Sequence, residues 1–387
     1  MELNLKGSIN IKNNNNLRNY KGINDSINLI TNEKRKSITI FDYIFIIKIL
    51  SSCLVVFKHT NRNYWIYNDY WVSTNIMCSF CMCAVPLFSL CIGATLLNFN
   101  ERYGIKEYYK KRIIKVIIPI IGWNIVYYIY RVYIVKNFKK IELNFINIYR
   151  IYFYNQLYPI ISSLRIFIVG YFVIPIIAYI EKPNKIKICN YGLMIIIINN
   201  STIPYLLKMI PHFTNLINKT RMKLDIRWPY DFNTGYIVYL FAGFIIQNNK
   251  FNRKFKYFMY IFGIFGLFLR LIISHHLTIK YKKPDKTQIN YVNLPIVIYS
   301  CSVFLFIKEN YKYLFKIINQ KYIKKIGSLS MGPFFLHYMI IWALPHFFKY
   351  NIFGFNYRFF GFLIISFICF ILTNIIKKIP ILKYLTP

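Results

Sequence analysis

FDYIFIIKILSSCLVVFKH, residues 41–59, decides the fold class: it is an apolar run with three ionisable side chains set into it. At 1.5 Å of rise per residue the run is about 28 Å long, close to the roughly 30 Å thickness of bilayer hydrocarbon. A strand would not need so many apolar residues in a row, and a soluble helix would show a polar face.

The same reading extends along the chain. Apolar blocks recur at 40–57, 75–97, 113–134, 157–180, 188–206, 234–247, 257–274, 291–307, 329–347 and 359–376. The sequence therefore predicts an all-α, polytopic transmembrane bundle of about ten helices, filling a membrane domain over 40–376. Residues 1–39 are expected to form a polar N-terminal segment and 377–387 a short tail. The sixth block is too short to cross alone, so it must extend upstream or be broken inside the bundle. Glu181-Lys182-Pro183-Asn184 makes a sharp connection between the fourth and fifth. Residues 1–39 contain no apolar stretch of signal-peptide type, so the first block is expected to start insertion without cleavage.

Composition agrees with a membrane protein. Of the 387 residues, 56% are hydrophobic and only 16% charged, where a soluble chain carries about 25% charge. The net charge of +37 would suggest nucleic acid in a soluble protein. Here the cations sit in short segments between apolar blocks, which points to anionic lipid and topology instead. Nucleic acid is not an expected partner; membrane lipids are.

With the N-terminus inside, the loops 98–112, 181–187, 248–257 and 308–326 hold 18 Lys or Arg in 51 residues, against 17 in 91 for the outside loops. That bias, with Lys34-Arg35-Lys36 before the first block and Lys377-Lys378 after the last, predicts that both termini are cytoplasmic. The cell membrane is the expected location. The eight cysteines lie in or beside apolar stretches. Cys78-x-x-Cys81-x-Cys83 has no second Cys/His pair at finger-like spacing, so these read as small apolar side chains and no metal is predicted.

Ionisable groups inside a span are costly and point to function. Lys48 and His59 are separated by about 16 Å of helix and only about 20° of rotation, so they share a face. A deep cation with an imidazole toward the far end suits a lined cavity: one neutralises an anionic group, the other takes a proton from a hydroxyl. The bland alternative has Lys48 snorkelling to the headgroups and His59 at the outer interface. Asp42, near the cytoplasmic entrance, is the only acid inside a block; Glu101, Glu107, Glu142, Glu181 and Glu309 are assigned to loops. A proton-coupled transporter more often shows a mid-membrane carboxylate. Pro86 and Gly93 are candidates for a kink and a close helix contact. Arg112 and Lys115, three apart, are expected to face one way and could hold phosphates or merely anchor the helix. His337, in an apolar run after Ser328 and Ser330, reads either as a core hydrogen-bonding residue or as cavity lining.

Three stretches in order, IFDYIFIIKILSSCLVVFKH (40–59), VPLFSLCIGATLL (85–97) and YYKKRIIKVIIPIIGW (108–123), resemble the integral-membrane acyltransferase-3 family. Weaker echoes are GYFVIPII (170–177), similar to its fourth-span YxxxP segment, and SLSMGPFFLHYMI (328–340). The resemblance covers about residues 40–376. It implies transfer of an acyl group, usually acetyl, from acyl-coenzyme A to a hydroxyl of a sugar, polysaccharide or lipid-linked glycan. It implies His59 as general base and Lys48 as the cation that positions the donor. Arg112 and Lys115 then hold coenzyme A phosphates, and Asp42, His337 and Ser330 are further cavity candidates. The chain departs from the family pattern at Lys48, where an Arg is usual, and at Ile160-Ile161-Ser162-Ser163 with Arg165, where an aromatic and histidine cluster is usual. Lysine keeps the charge but loses the two-pronged fork. Two other readings stay open: a multi-span glycan or lipid transporter, and an inactive family member serving as a membrane interaction protein.

Overall fold

Long apolar helices satisfy their own backbone in lipid, and the described chain is built from them. The computed structural model describes residues 41–135, 170–209, 236–347, 354 and 356–386. In chain order the main helices are α1 (Asp42–Thr60), α2 (Trp71–Cys81), α3 (Ala84–Leu96), α4 (Ile105–Ile134), α5 (170–178) and α6 (Lys182–Leu206). They continue as α7 (Ile237–Asn248), α8 (Arg253–Tyr281), α9 (Leu294–Ile317), α10 (Gln320–Ser328), α11 (Met331–Phe347) and α12 (Tyr357–Lys378). No strand occurs among the described residues. Seven of the helical stretches are long and apolar enough to cross a membrane, or eight if α10 and α11, bent by 59°, make one broken span. Among the expected blocks, α7 keeps only twelve residues, and the upstream part of the fourth block, residues 1–40 and 210–235 lie outside the described residues.

Two expectations need correction. Glu107 lies on the first turns of α4 and Glu309 within α9, not in loops. Hydropathy marks the part of a helix that lipid covers, whereas backbone hydrogen bonding continues past it. The second block bends before Pro86: α2 ends at Cys81 and α3 begins at Ala84. Proline has no N–H to give to the carbonyl four residues back, so the break falls one turn upstream.

Gly93 does what its spacing suggests. Leu90-x-x-Gly93 of α3 crosses Leu240-x-x-Gly243 of α7, and each glycine rests on the backbone of the other helix's leucine. A side chain at either position would run into a carbonyl.

Within the compact unit Ile44–Pro387, three helices run in one direction. Ser52 Oγ of α1 shares its proton between the carbonyls of Lys48 (2.7 Å) and Ser330 (2.6 Å), and His59 meets Tyr338 one step further on. Tyr127 and Tyr130 of α4 donate to the carbonyls of Phe335 (2.5 Å) and Met339 (2.7 Å) in the same order. Thus α1, α4 and α11 are parallel. Helix α12 runs back: its Arg358 bonds Asn61 beyond the end of α1, and its Lys377 bonds the carbonyl of Ser328 (2.7 Å). The first span therefore begins at the end of the bundle where the last one finishes.

Candidate functional site

The residues singled out from sequence divide between two places on the parallel trio. At one end Lys48, Arg112 and Lys115 line a single cavity of about 460 Å³, joined by Arg102 and Lys111. No acidic side chain lines it. Its walls include Tyr103 and Tyr171, and its apolar part is made by Phe88, Cys91, Phe334 and Phe335.

Local structure explains how the cations converge. After Arg112 the helix takes a π turn over Ile113–Ile117, which delays the backbone rotation around Lys115. Such wide turns recur at functional sites. Arg112 lies over the rings of Tyr108 (5.6 Å) and Tyr171 (5.4 Å), and its Nε is buried without a hydrogen-bond partner among the described residues. Tyr108 donates to the carbonyl of Tyr171 (2.9 Å) and so ties α4 to α5. Lys111 sits 3.8 Å over the Tyr103 ring and pairs with Glu107 at 2.7 Å. That pair is partly exposed and adds at most about 1 kcal/mol. Arg102 donates to the carbonyl of Thr95. Five cations at one cavity repel one another, and the arrangement suits a ligand that brings several negative charges.

His59 is elsewhere. It is half-buried near the other end of α1, with Nδ1 2.7 Å from the Tyr338 hydroxyl and its ring 5.1 Å from that of His337. His337 is fully buried. Its Nδ1 lies 2.7 Å from the carbonyl of Pro333; a carbonyl only accepts, so Nδ1 carries the ring proton and Nε2 a lone pair. That Nε2 has no partner among the described residues, and a buried unmet acceptor costs about 1–3 kcal/mol. Ser330 is buried and gives its carbonyl to Ser52. Neither Ser330, Asp42, His59 nor His337 lines the cation cavity. Ile160-Ile161-Ser162-Ser163 and Arg165 lie outside the described residues. Cys78, Cys81 and Cys83 are buried and unbridged. Among the described residues no group of three or more His, Cys, Asp or Glu side chains is placed to hold a metal ion.

Sequence reasoning missed two polar residues at this end. Tyr338 follows His337 directly, yet nothing in SLSMGPFFLHYMI signals which of its side chains meets α1. Arg270 stood in plain view, a cation in the middle of IFGIFGLFLRLIIS. It is 1% exposed and donates to Asn75 Oδ1 (2.8 Å), the Gln288 carbonyl (3.4 Å) and Ser79 Oγ. Nearby, burial raises the Tyr64 hydroxyl above its ordinary value. It thus stays protonated, donating to the Asp285 carbonyl (2.9 Å). This is a closed network that holds α2 to α8. Arg270→Met is expected to strand those acceptors and to lower stability by about 3 kcal/mol, read as a drop in the thermal unfolding midpoint of the purified protein.

Residues 41–375 match the family model described as an acyltransferase domain. No curated protein and no solved structure matches the chain.

Proposed function

We propose that this chain, which belongs to the acyltransferase domain family, moves an acyl group from an acyl-coenzyme A donor to a hydroxyl of a sugar, polysaccharide or lipid-linked glycan. The observation that carries the reading is the acid-free cavity holding Lys48, Arg102, Lys111, Arg112 and Lys115. Coenzyme A presents a diphosphate and a ribose phosphate, and a cluster of cations flanked by tyrosines answers both the charge and the adenine ring. Acetyl is the expected acyl group.

The chemistry follows from the residues. The acceptor hydroxyl gives its proton to His59 while its oxygen attacks the thioester carbon. The carbon–sulfur bond then breaks, and the proton passes from His59 to the leaving thiolate. Lys48 neutralises the donor on the way in, and Arg112 with Lys115 grips its phosphates. Loop charge places the cation cavity on the cytoplasmic side of a cell membrane and both chain termini with it. The shared end of α1 and α12 supports that path, as does the parallel trio, which fits ten crossings.

Membranes containing the chain, given radiolabelled acetyl-CoA, are expected to pass label into a glycan or glycolipid fraction, and membranes without it are not. Absence of transfer across a broad panel of acceptors sinks the reading and favours a transporter. A second expected outcome concerns the cavity alone. Arg112→Gln should raise the KM for donor about tenfold or more, the usual weight of one charge-assisted hydrogen bond. Its kcat should change little, as steady-state kinetics at varied acetyl-CoA will show.

A further inference from the structure

The histidine pair describes the acceptor as well as the base. His337 holds its ring proton against the Pro333 carbonyl at 2.7 Å and leaves Nε2 as a fixed, buried acceptor without a partner among the described residues. Beside it, His59 has Nδ1 at 2.7 Å from the Tyr338 hydroxyl. For Nε2 of His59 to be the base, Nδ1 must carry the proton and donate it to that hydroxyl oxygen. Each imidazole thus spends its δ nitrogen on the protein, and the rings lie 5.1 Å apart and only 30° from parallel. Two lone pairs then stand side by side on ε nitrogens, and neither can donate.

We infer that His337 is a specificity-determining residue for the acceptor. Its Nε2 accepts a hydrogen bond from a second hydroxyl on the carbon next to the one that His59 deprotonates. The preferred acceptor is therefore a vicinal diol, and no proton leaves the second hydroxyl during transfer. The inference rests on the acyl-transfer reading above. Two oxygens on neighbouring carbons, each about 2.8 Å from its nitrogen, can bridge rings at this separation. A lone alcohol leaves the His337 acceptor unmet, and a site built around a hydroxyl discriminates against ligands that lack it.

The test compares acetyl transfer from labelled acetyl-CoA to cis-cyclohexane-1,2-diol and to cyclohexanol by the intact protein in membranes. The wild type is expected to favour the diol by about 5- to 100-fold in kcat/KM, the range for leaving one buried acceptor unpaired. His337→Asn can keep the bond to Pro333 but has no acceptor at the ε position, so the preference should collapse toward the twofold statistical value. His337→Gln returns an oxygen to that position and should restore most of it. Three results overturn the inference: equal use of both alcohols by the wild type, a preference that survives in His337→Asn, or labelling of membrane glycan with neither alcohol acylated. Should the Asn variant fail to accumulate, loss of the preference in a folded Gln variant counts against the inference in the same way. If no acceptor of any kind is labelled, the acyl-transfer reading itself has failed, which is a separate outcome.

Discussion

His59→Ala is expected to lower acyl transfer by two to four orders of magnitude, about what removing a general base costs, while leaving donor affinity near that of the wild type. The asymmetry follows from the geometry. His59 does not line the cation cavity; its neighbours are His337 and Tyr338. Removing the imidazole therefore takes a proton acceptor from the hydroxyl without touching the charges assigned to the donor. The measurement is transfer of labelled acetyl set beside direct binding of acetyl-CoA to the same purified variant. If transfer survives within tenfold, His59 is not the base, and the lone pair on the neighbouring His337 becomes the one to examine. If binding and transfer vanish together, the variant has lost its fold or the two regions are one site.

The second large effect is structural. Gly93→Val should prevent accumulation of folded protein, and Gly243→Val should do the same. A side chain at either glycine meets the carbonyl and Cα of Leu240 or Leu90, which are backbone atoms and cannot swing aside. Helices in lipid have little hydrophobic force driving them together, so close approach through small residues supplies much of their attraction. Overpacking inside a protein costs about 1–3 kcal/mol even where neighbours can adjust; here the neighbour is a helix backbone and the cost is larger. The readout is the monodisperse fraction in detergent. Gly104→Val serves as the control, because a side chain there meets nothing within 4 Å. Equal yields for Gly93→Val and Gly104→Val would show that α3 and α7 do not need their close crossing.

Hydropathy exposed the spans because lipid imposes one rule on every residue of a crossing helix. Lys48, Arg112 and Lys115 were legible for the same reason, as charges in or beside apolar runs. That they would share a cavity was only partly so. The spacing of Arg112 and Lys115 assumed a regular helix, while the chain takes a π turn between them. The partner of His59 could not be read at all, since Tyr338 is 279 residues away in sequence. Nothing local marks that contact. Arg270 was a readable signal passed over, a buried cation whose acceptors come from α2 and the loop before α9. Helix ends were least legible, as Glu107 and Glu309 show, because the pattern that lipid selects stops before the hydrogen bonds do.

Lys48 and His59 stand on one continuous helix, α1, whose rise fixes the interval between them at about 16 Å. A rigid rod between a charge and a base acts as a gauge. Under the proposed reaction it measures the arm that connects a donor's phosphates to its thioester. A donor with a shorter arm can satisfy the cation or present its carbonyl to the imidazole, but not both at once. An acyl thioester stripped of its nucleotide would reach the base with nothing to hold it in register. On this view the length of the carrier, more than the chemistry of the acyl group, sets which thioesters the protein can use.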